Sequence, residues 1–352
     1  MKKVAVVILN WNTKDYLQRF LPGIIDSISG MAGAEVVVAD NASTDGSLEL
    51  MRERFPEVPL ILLDKNYGFT GGYNRALEGL DAEYAVLLNS DVEVAPGWLE
   101  PLLDWMDAHP ECGACGPKLH ALSDPDRFEY AGAAGGLIDR YGYPFCRGRV
   151  LQRVETDRGQ YDGGPADVLW ITGACLLVRM HLWRELGGLD ERFFAHMEEI
   201  DLCWRMQLAG YRVCLIPSAC VLHLGGGTLP ASSPFKLRLN YRNNLLLLEN
   251  NLARTLALRM PQKKALRIAR RRIFLRRVFD GASALTYLVT LRPKAFRAVL
   301  TAHGEFRKLR RGSGGDLPTG KAEVHGYCEN LWLIPTALLK GQRIFSKLKD
   351  IV

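Results

Sequence analysis

Short apolar runs alternate with amphipathic stretches through the first third of the chain. Residues 4–9, 35–39, 60–63 and 84–88 are apolar over strand length, and residues 14–28, 45–55, 70–80 and 96–108 between them have helical spacing. This alternation predicts an α/β fold, a mostly parallel sheet with helices on both faces. Runs so short and so uniformly apolar suit strands buried on both sides. Each ends in polar residues: Asn10-Trp11-Asn12, Asp40-Asn41, Asp64-Lys65-Asn66 and Asn89-Ser90-Asp91. Open α/β sheets bind ligands at the carboxyl ends of their strands, so these four ends predict a ligand-binding crest.

Beyond residue 120 the pattern loosens. Glycines and aromatics over residues 130–144 predict an irregular hairpin or loop. Residues 166–171 read as a strand ending at Thr172-Gly173-Ala174, residues 180–186 as a helix, and residues 211–215 and 219–224 as two short strands. A hinge is expected at Gly225 to Thr228, followed by a helical, basic region, a linker at Gly312 to Gly315 and a last amphipathic piece bearing Lys347, Lys349 and Val352. The expected division is a first domain over residues 1–228 and a helical region over residues 229–352.

Composition changes this picture in three places. No apolar stretch reaches the roughly 20 residues that span a bilayer, and the lysine-led amino end reads as a first strand and not as a secretory signal. A cytoplasmic protein is therefore expected. Of eight cysteines only Cys112 and Cys115 have the spacing of metal ligands or a redox pair; buried reduced thiols are the preferred reading. The net charge of +6 hides an asymmetry: 17 lysines and arginines between Arg254 and Arg311 face only Asp280 and Glu305, a local +15 that leaves the remainder at −9. Within it, Lys263 to Phe279 mixes basic residues with Ile268, Leu275, Val278 and Phe279 at near-helical spacing, which predicts contact with an anionic membrane surface. Aromatic interleaving for base stacking is thin, and no nucleic-acid partner is expected.

Candidate chemistry gathers at the strand ends. Asp91, a short acid on a rigid support, suits a divalent cation carrying a diphosphate; the competing role is capping the next helix. Asp40 suits acceptance from a base N–H or a ribose hydroxyl. Asn66-Tyr-Gly-Phe-Thr-Gly71-Gly72-Tyr-Asn74 opens a helix with glycines whose amides can approach phosphate, or is a bare glycine turn. Glu198, Glu199 and Asp201 crowd a helix start, and a buried carboxylate beside another acid has its pKa raised toward general-base range. His223, at a strand end, is a metal-ligand candidate or a structural histidine.

These segments, in this order, resemble family 2 glycosyltransferases of the rhamnosyltransferase-like branch. The resemblance rests on Ile8-Leu-Asn10-Trp-Asn12, Asp40-Asn-Ala-Ser-Thr-Asp-Gly46, Asn66-x-Gly-Phe-x-Gly71-Gly72, Leu87-Leu-Asn89-Ser-Asp91 and Phe193 to Arg205, and covers roughly residues 1–250. It implies a GT-A fold, Rossmann-like with a basic helical appendage, and inverting transfer of a sugar from a nucleotide-sugar donor to a polysaccharide or lipid-linked glycan. It further implies a donor site of Asn10, Asn12, Asp40, Asn66, Gly71, Gly72, Asn89 and Asp91, with Mn2+ or Mg2+ held by Asp91 and His223. Glu199 maps to the catalytic base, one methylene longer than the family's aspartate. Trp170, Thr172, Gly173 and Glu198 map to the acceptor groove. Asn89 stands where the family's first metal-motif aspartate usually sits. Tyr241-Arg-Asn-Asn244 matches a further family stretch without a derivable role. The alternatives are a catalytically inactive nucleotide-sugar-binding scaffold, a sugar-nucleotide pyrophosphorylase and, last, a hydrolase built on His196, Glu198 and His223.

Overall fold

The protein was analysed as a computed structural model, which describes residues 2–225, 233–312, 322–339, 341, 344–345 and 348. The first half is the expected alternation: β1 (Lys2–Asn10), α1 (Lys14–Ile28), β2 (Ala34–Asp40), α2 (Ser47–Arg54), β3 (Leu60–Leu62), α3 (Gly68–Glu78), β4 (Ala82–Asn89), β5 (Val92–Val94) and α4 (Glu100–Ala108). β3, β2, β1 and β4 lie side by side and parallel. The two faces of this sheet differ in size of side chain, which decides what each can pack. Val4, Val6, Ile8, Val36, Val38 and Val86 are covered by α1 and α4. Ala5, Val7, Ala39 and Ala85 present a shallower face to α3. There Gly72 lies so close that a Cβ would sit 2.7 Å from Leu9.

The sheet then continues through strands that the hydrophobic pattern conceals. After β6 (Cys112–Ala121) and β7 (Asp124–Phe128), a second sheet forms from β8 (Gly136–Asp139), β9 (Pro144–Cys146), β10 (Arg149–Val150) and β11 (Arg153–Val154). The chain returns to the first sheet with β12 (Ala166–Asp167) and β13 (Cys175–Arg179), passes through α5 (Met180–Glu185) and α6 (Glu198–Leu208), and enters β14 (Arg212–His223). β13 runs antiparallel between β4 and β6, so the sheet is mixed. Residues 211–215 and 219–224, expected as two strands, belong to one; its register shifts between Ile216 and Cys220, around Pro217, which has no N–H to give the ladder.

Residues 168–171 are buried but are not a strand, because they form the joint between the sheets: Gly136 and Trp170 make an isolated bridge. Cys112 and Cys115 are both buried on β6, all eight cysteines are free, and the Cys112 and Cys115 thiols donate to the carbonyls of Ala114 and Leu102.

The remainder is α7 (Pro234–Ala257), α8 (Gln262–Val289), α9 (Pro293–Leu309), β15 (Tyr327–Cys328) and α10 (Leu333–Leu339). α7 packs against α6, and β15 adds to β8 as a parallel strand. Residues 226–228 of the expected hinge, 313–315 of the expected linker, and Lys347, Lys349 and Val352 lie outside the described residues. Among the described residues no helix is long and apolar enough to cross a membrane.

The joint between the sheets gives a direct stability test. A Cβ on Gly136 would lie 1.9 Å from the Trp170 ring, whereas one on Gly23 meets nothing within 4 Å. Gly136→Ala is expected to destabilise by about 1–3 kcal/mol through overpacking, and Gly23→Ala, within α1, to be neutral or stabilising. Urea unfolding of the two variants measures both.

Candidate active site

The ends of β1, β2 and β4 are tied by one hydrogen-bond chain. Asn10 donates from Nδ2 to Asp40 Oδ2 (2.7 Å) and Ser43 Oγ (3.0 Å). Thr13 Oγ1 donates to Asn10 Oδ1 at 2.5 Å and lies 2.9 Å from Ser90 Oγ. Asp40 Oδ1 accepts from the Ser43 amide at 2.8 Å, so each Asp40 oxygen already has one partner and keeps a further lone pair. Asn12, at φ +55°, accepts the Thr44 amide on Oδ1 at 2.7 Å. Asn10 and Asp40 are buried, and Asn12 is on the surface.

The glycine-rich stretch has a different use from the expected phosphate cradle. The amides of Tyr67, Gly68 and Thr70 at the start of α3 are taken by Asn41 Oδ1, Asn66 Oδ1 and the Phe194 carbonyl. Donors that a helix start leaves open for an anion are thus closed by protein here. Gly71 and Gly72 lie inside α3, where a Cβ would come within 2.9 Å of Tyr67 and 2.7 Å of Leu9. Both positions therefore need glycine for packing.

At the end of β4, Asn89 is half-buried and Asp91 buried. β5 pairs antiparallel with β14, setting His223 opposite Val92. That register brings His223 Nε2 to 3.1 Å from Asp91 Oδ1. On its other side His223 Nδ1 faces Glu129 Oε2 at 3.6 Å. Burial alone would lower the His223 pKa, but the hydrogen bond to Asp91 and the neighbouring Glu129 carboxylate raise it to about 9. Glu129, between β7 and the turn into the second sheet, escapes sequence reasoning because it lies in a stretch that reads as loop.

The two remaining acids stand at the start of α6. Glu199 places its Cβ 3.7 Å from the position a Gly173 side chain would occupy, with the Phe69 ring beside it at 3.2 Å. Desolvation pushes the Glu199 carboxyl up to about 7 against the pull of backbone amides. Glu198 is held well above the usual carboxylate range by burial and by Glu199 beside it. Its Oε2 and the buried His196 Nε2 have no hydrogen-bond partner among the described residues. Burial and the nearby Lys236 ammonium lower His196 to about 4, so its ring is neutral. Buried polar atoms left open in this way mark where a polar ligand completes the bonding. Asp201 belongs to the scaffold: it is bonded to Arg205, Asn250 and Asn251.

Two expected acceptor-groove residues are interior. Trp170 is buried and donates Nε1 to the Leu137 carbonyl at 3.1 Å, and Thr172 accepts from the Ala174 amide at 3.2 Å. Gly173 borders Glu199.

The stretch Tyr241 to Asn244 acquires a role from the fold. Phe194, His196 and Met197 all have positive φ, 63°, 72° and 74°, in the turn that launches α6. Asn243 Nδ2 lies 2.9, 2.8 and 2.7 Å from the carbonyls of Phe193, Ala195 and His196, and Arg242 donates to Phe193 at 2.7 Å. α7 therefore clamps the turn that aims Glu198 and Glu199. The lining of a 640 Å³ cleft, which includes Asp190, Arg192, Arg205 and Glu249, contains none of these groups; Arg192 and Arg205 within it are already paired with Asp190 and Asp201.

Residues 5–161 match the family described as Glycosyl transferase family 2. The chain is 32% identical over 238 residues to the N-acetylglucosaminyl-diphospho-decaprenol L-rhamnosyltransferase of Mycobacterium tuberculosis, covering 62% of this chain and 75% of that one. The chain belongs to glycosyltransferase family 2. It is also 27% identical to the O-antigen biosynthesis protein RfbC of Myxococcus xanthus, over 63% of this chain and 17% of that one. Among solved structures, TarS 1–349 of S. aureus matches with a TM-score of 0.53 at 16% identity, over 86% of this chain and 80% of that one. The mannosyltransferase PcManGT of Pyrobaculum calidifontis, in complex with GDP-Man and Mn2+, matches with 0.51 at 15% identity, over 87% of each chain. These neighbours share the GT-A-like fold. The enzyme is a glycosyltransferase that takes a sugar from a nucleotide sugar, and the pyrophosphorylase and hydrolase alternatives fall with the family assignment.

The clamp yields a test in this glycosyltransferase. Asn243→Ala takes the side-chain donor from the Ala195 and His196 carbonyls, leaving Phe193 to Arg242, and frees the turn; displacing a reacting group by about 1 Å costs roughly a hundredfold in rate. We expect kcat to fall by about 10- to 100-fold with KM for the donor little changed. Circular dichroism should show the fold retained.

Proposed function

We propose that the enzyme performs a metal-dependent, inverting sugar transfer to a polysaccharide or lipid-linked glycan, with Glu199 as base. The observation that carries this reading is the pairing of Asp91 with His223 at one side of the crest. Asp91 Oδ1 and His223 Nε2 are hydrogen-bonded at 3.1 Å, and this carboxylate and imidazole would together hold a divalent cation once the ring gives up its proton. PcManGT carries Mn2+ with GDP-Man. A cation bound by Asp91 and His223 supplies positive charge to the departing nucleoside diphosphate.

The chain's own residues do the rest. Asp40, braced by Asn10, accepts from the base or ribose on its remaining lone pairs, and Asn12, Asn66 and Asn89 border the same donor crest. Glu198 and Gly173 border the acceptor. Glu199 takes the acceptor hydroxyl proton while that oxygen bonds to the anomeric carbon. The bond from that carbon to the diphosphate oxygen breaks on the opposite face, so configuration inverts without a covalent intermediate. A lipid-linked acceptor is supported by the mycobacterial relative, whose name specifies a diphospho-decaprenol acceptor. The enzyme would then work in the cytoplasm at the inner face of the membrane.

A panel of UDP-, dTDP- and GDP-sugars with Mn2+ or Mg2+, scored by nucleoside diphosphate release, tests this directly. One donor should turn over, only with metal, and Asp91→Ala should abolish the metal response. Glu199→Gln should lower kcat by about 10²- to 10⁴-fold. Nucleotide binding by calorimetry without turnover of any donor, with relevant acceptors supplied, would instead identify an inactive scaffold, the reading that Asn89 keeps open.

The pH dependence has a definite sign. A base with its pKa raised to about 7 is protonated and idle below that pH, so kcat should climb across neutrality. A carboxyl raised on folding also destabilises the native state above its unfolded pKa. Glu199→Gln should therefore raise the thermal midpoint at pH 8 and leave it unchanged at pH 4.

A further inference from the structure

α8 carries an outer stripe that the transfer reaction does not use. Lys263, Arg267, Arg270, Arg271, Phe274, Val278, Leu285, Leu288 and Val289 are all exposed. At 100° per residue they fall within an arc of about 100°. The arc is divided along its length: its first half is basic, and its second half is apolar. The face differs from the one expected from the sequence. Ile268 packs against the core, Phe279 stacks on Tyr141 and Trp332, and Arg272 and Arg276 are buried in bonds to Glu329 and Asp280. Asp280 is itself buried between Arg276 and His303, so the arc carries no acidic group.

The apolar half ends in a feature that stability does not explain. Val289 is 82% exposed and Leu291, in the turn after α8, is 88% exposed. Leu291 also has φ +54°, at a helix end where glycine or asparagine is the comfortable occupant. A large side chain held in a strained backbone and aimed at solvent is doubly unfavourable in water. Exposed Arg292, Lys294 and Arg297 ring it.

We infer that the outer face of α8 and the turn to α9 dock on an anionic lipid bilayer, the basic half against headgroups and Leu285 to Leu291 within the acyl boundary. Charge complementarity selects this occupant. A second copy meeting α8 in parallel would set basic half on basic half, and one meeting it antiparallel would set basic half on apolar half. A bilayer meets both halves at once, with phosphate above and hydrocarbon below. The inference deepens the lipid-linked acceptor reading of the same enzyme, since α8 also braces the second sheet through Arg276 on the Tyr141 carbonyl.

The test is flotation of the full chain, without donor or acceptor, with vesicles of phosphatidylcholine alone and of phosphatidylcholine mixed with phosphatidylglycerol. The protein should float only with the anionic vesicles. Each basic residue near such a surface contributes about fivefold to partition, so the triple variant Lys263→Gln, Arg267→Gln and Arg270→Gln should lose roughly a hundredfold. Leu288→Glu with Val289→Glu should lose at least tenfold, and both variants, changed only on the exposed surface, should release nucleoside diphosphate as wild type does. Failure to float with anionic vesicles overturns the inference, as does equal floating of the variants. Concentration-dependent dimers in sedimentation velocity, lost in the Leu288/Val289 variant and without vesicle binding, would assign the face to a second copy. A protein that floats yet turns over no donor keeps this inference and overturns the transfer reading; one that transfers without floating does the reverse.

Discussion

Three residues in left-handed backbone, Phe194, His196 and Met197, set the direction of α6, and much of the site depends on how that turn is held. Each such residue costs about 1–3 kcal/mol, a total comparable to the stability of a small domain. The offset comes from α7. The Asn243 amide and Arg242 guanidinium reach the Phe193, Ala195 and His196 carbonyls, buried acceptors whose abandonment would cost about 1–3 kcal/mol each. The Phe194 carbonyl also takes the Thr70 amide, so the same turn closes the start of α3. A contact between distant segments thus fixes one geometry shared by two helices.

That geometry keeps acids where folding alone would not choose them. Glu198 and Glu199 sit side by side against desolvation, while Asp201, one turn on, is fully paired. The difference separates scaffold from site within a single helix start. His223 makes the same point in a strand: it is buried between two carboxylates because β14 and β5 pair in a register that leaves it no other place.

The repeating half of the fold was legible in the sequence because β1, β2 and β4 are buried on both faces and so are apolar throughout. α1 spans Lys14–Ile28 as its spacing predicts. β6 was hidden by Gly113, Gly116 and Pro117. The Gly116 position is needed because a Cβ there would meet Ile171 at 2.2 Å, a contact from elsewhere in the chain. The second sheet was hidden because its strands are two to four residues long, too short to show a period. Among the candidate residues, Asp91, His223, Glu198 and Glu199 stood out as acids and a histidine at element ends, and the fold brings Asp91 to His223. That Gly71 and Gly72 are held close to Tyr67 and Leu9 was not legible, because composition does not tell which neighbour approaches a glycine backbone. Glu129 gave no local signal, and Asn243 lay in a recognised stretch without a derivable role; each acts through a partner 94 or 50 residues away, His223 and Phe193.

The buried arginines of α8 have a consequence for anyone recombining this enzyme with its relatives. Arg276 lies over the Tyr143 ring at 3.9 Å and bonds to the Tyr141 carbonyl and Asn244, while Arg272 bonds to Tyr327 and Glu329 beside β15. Both guanidinium groups are buried, Arg276 among groups from three stretches of chain and Arg272 against Tyr327 and Glu329 alone. A chimera that imports α8 without β15 would bury the Arg272 cation with neither of these partners. The helix is inherited with the second sheet or not at all.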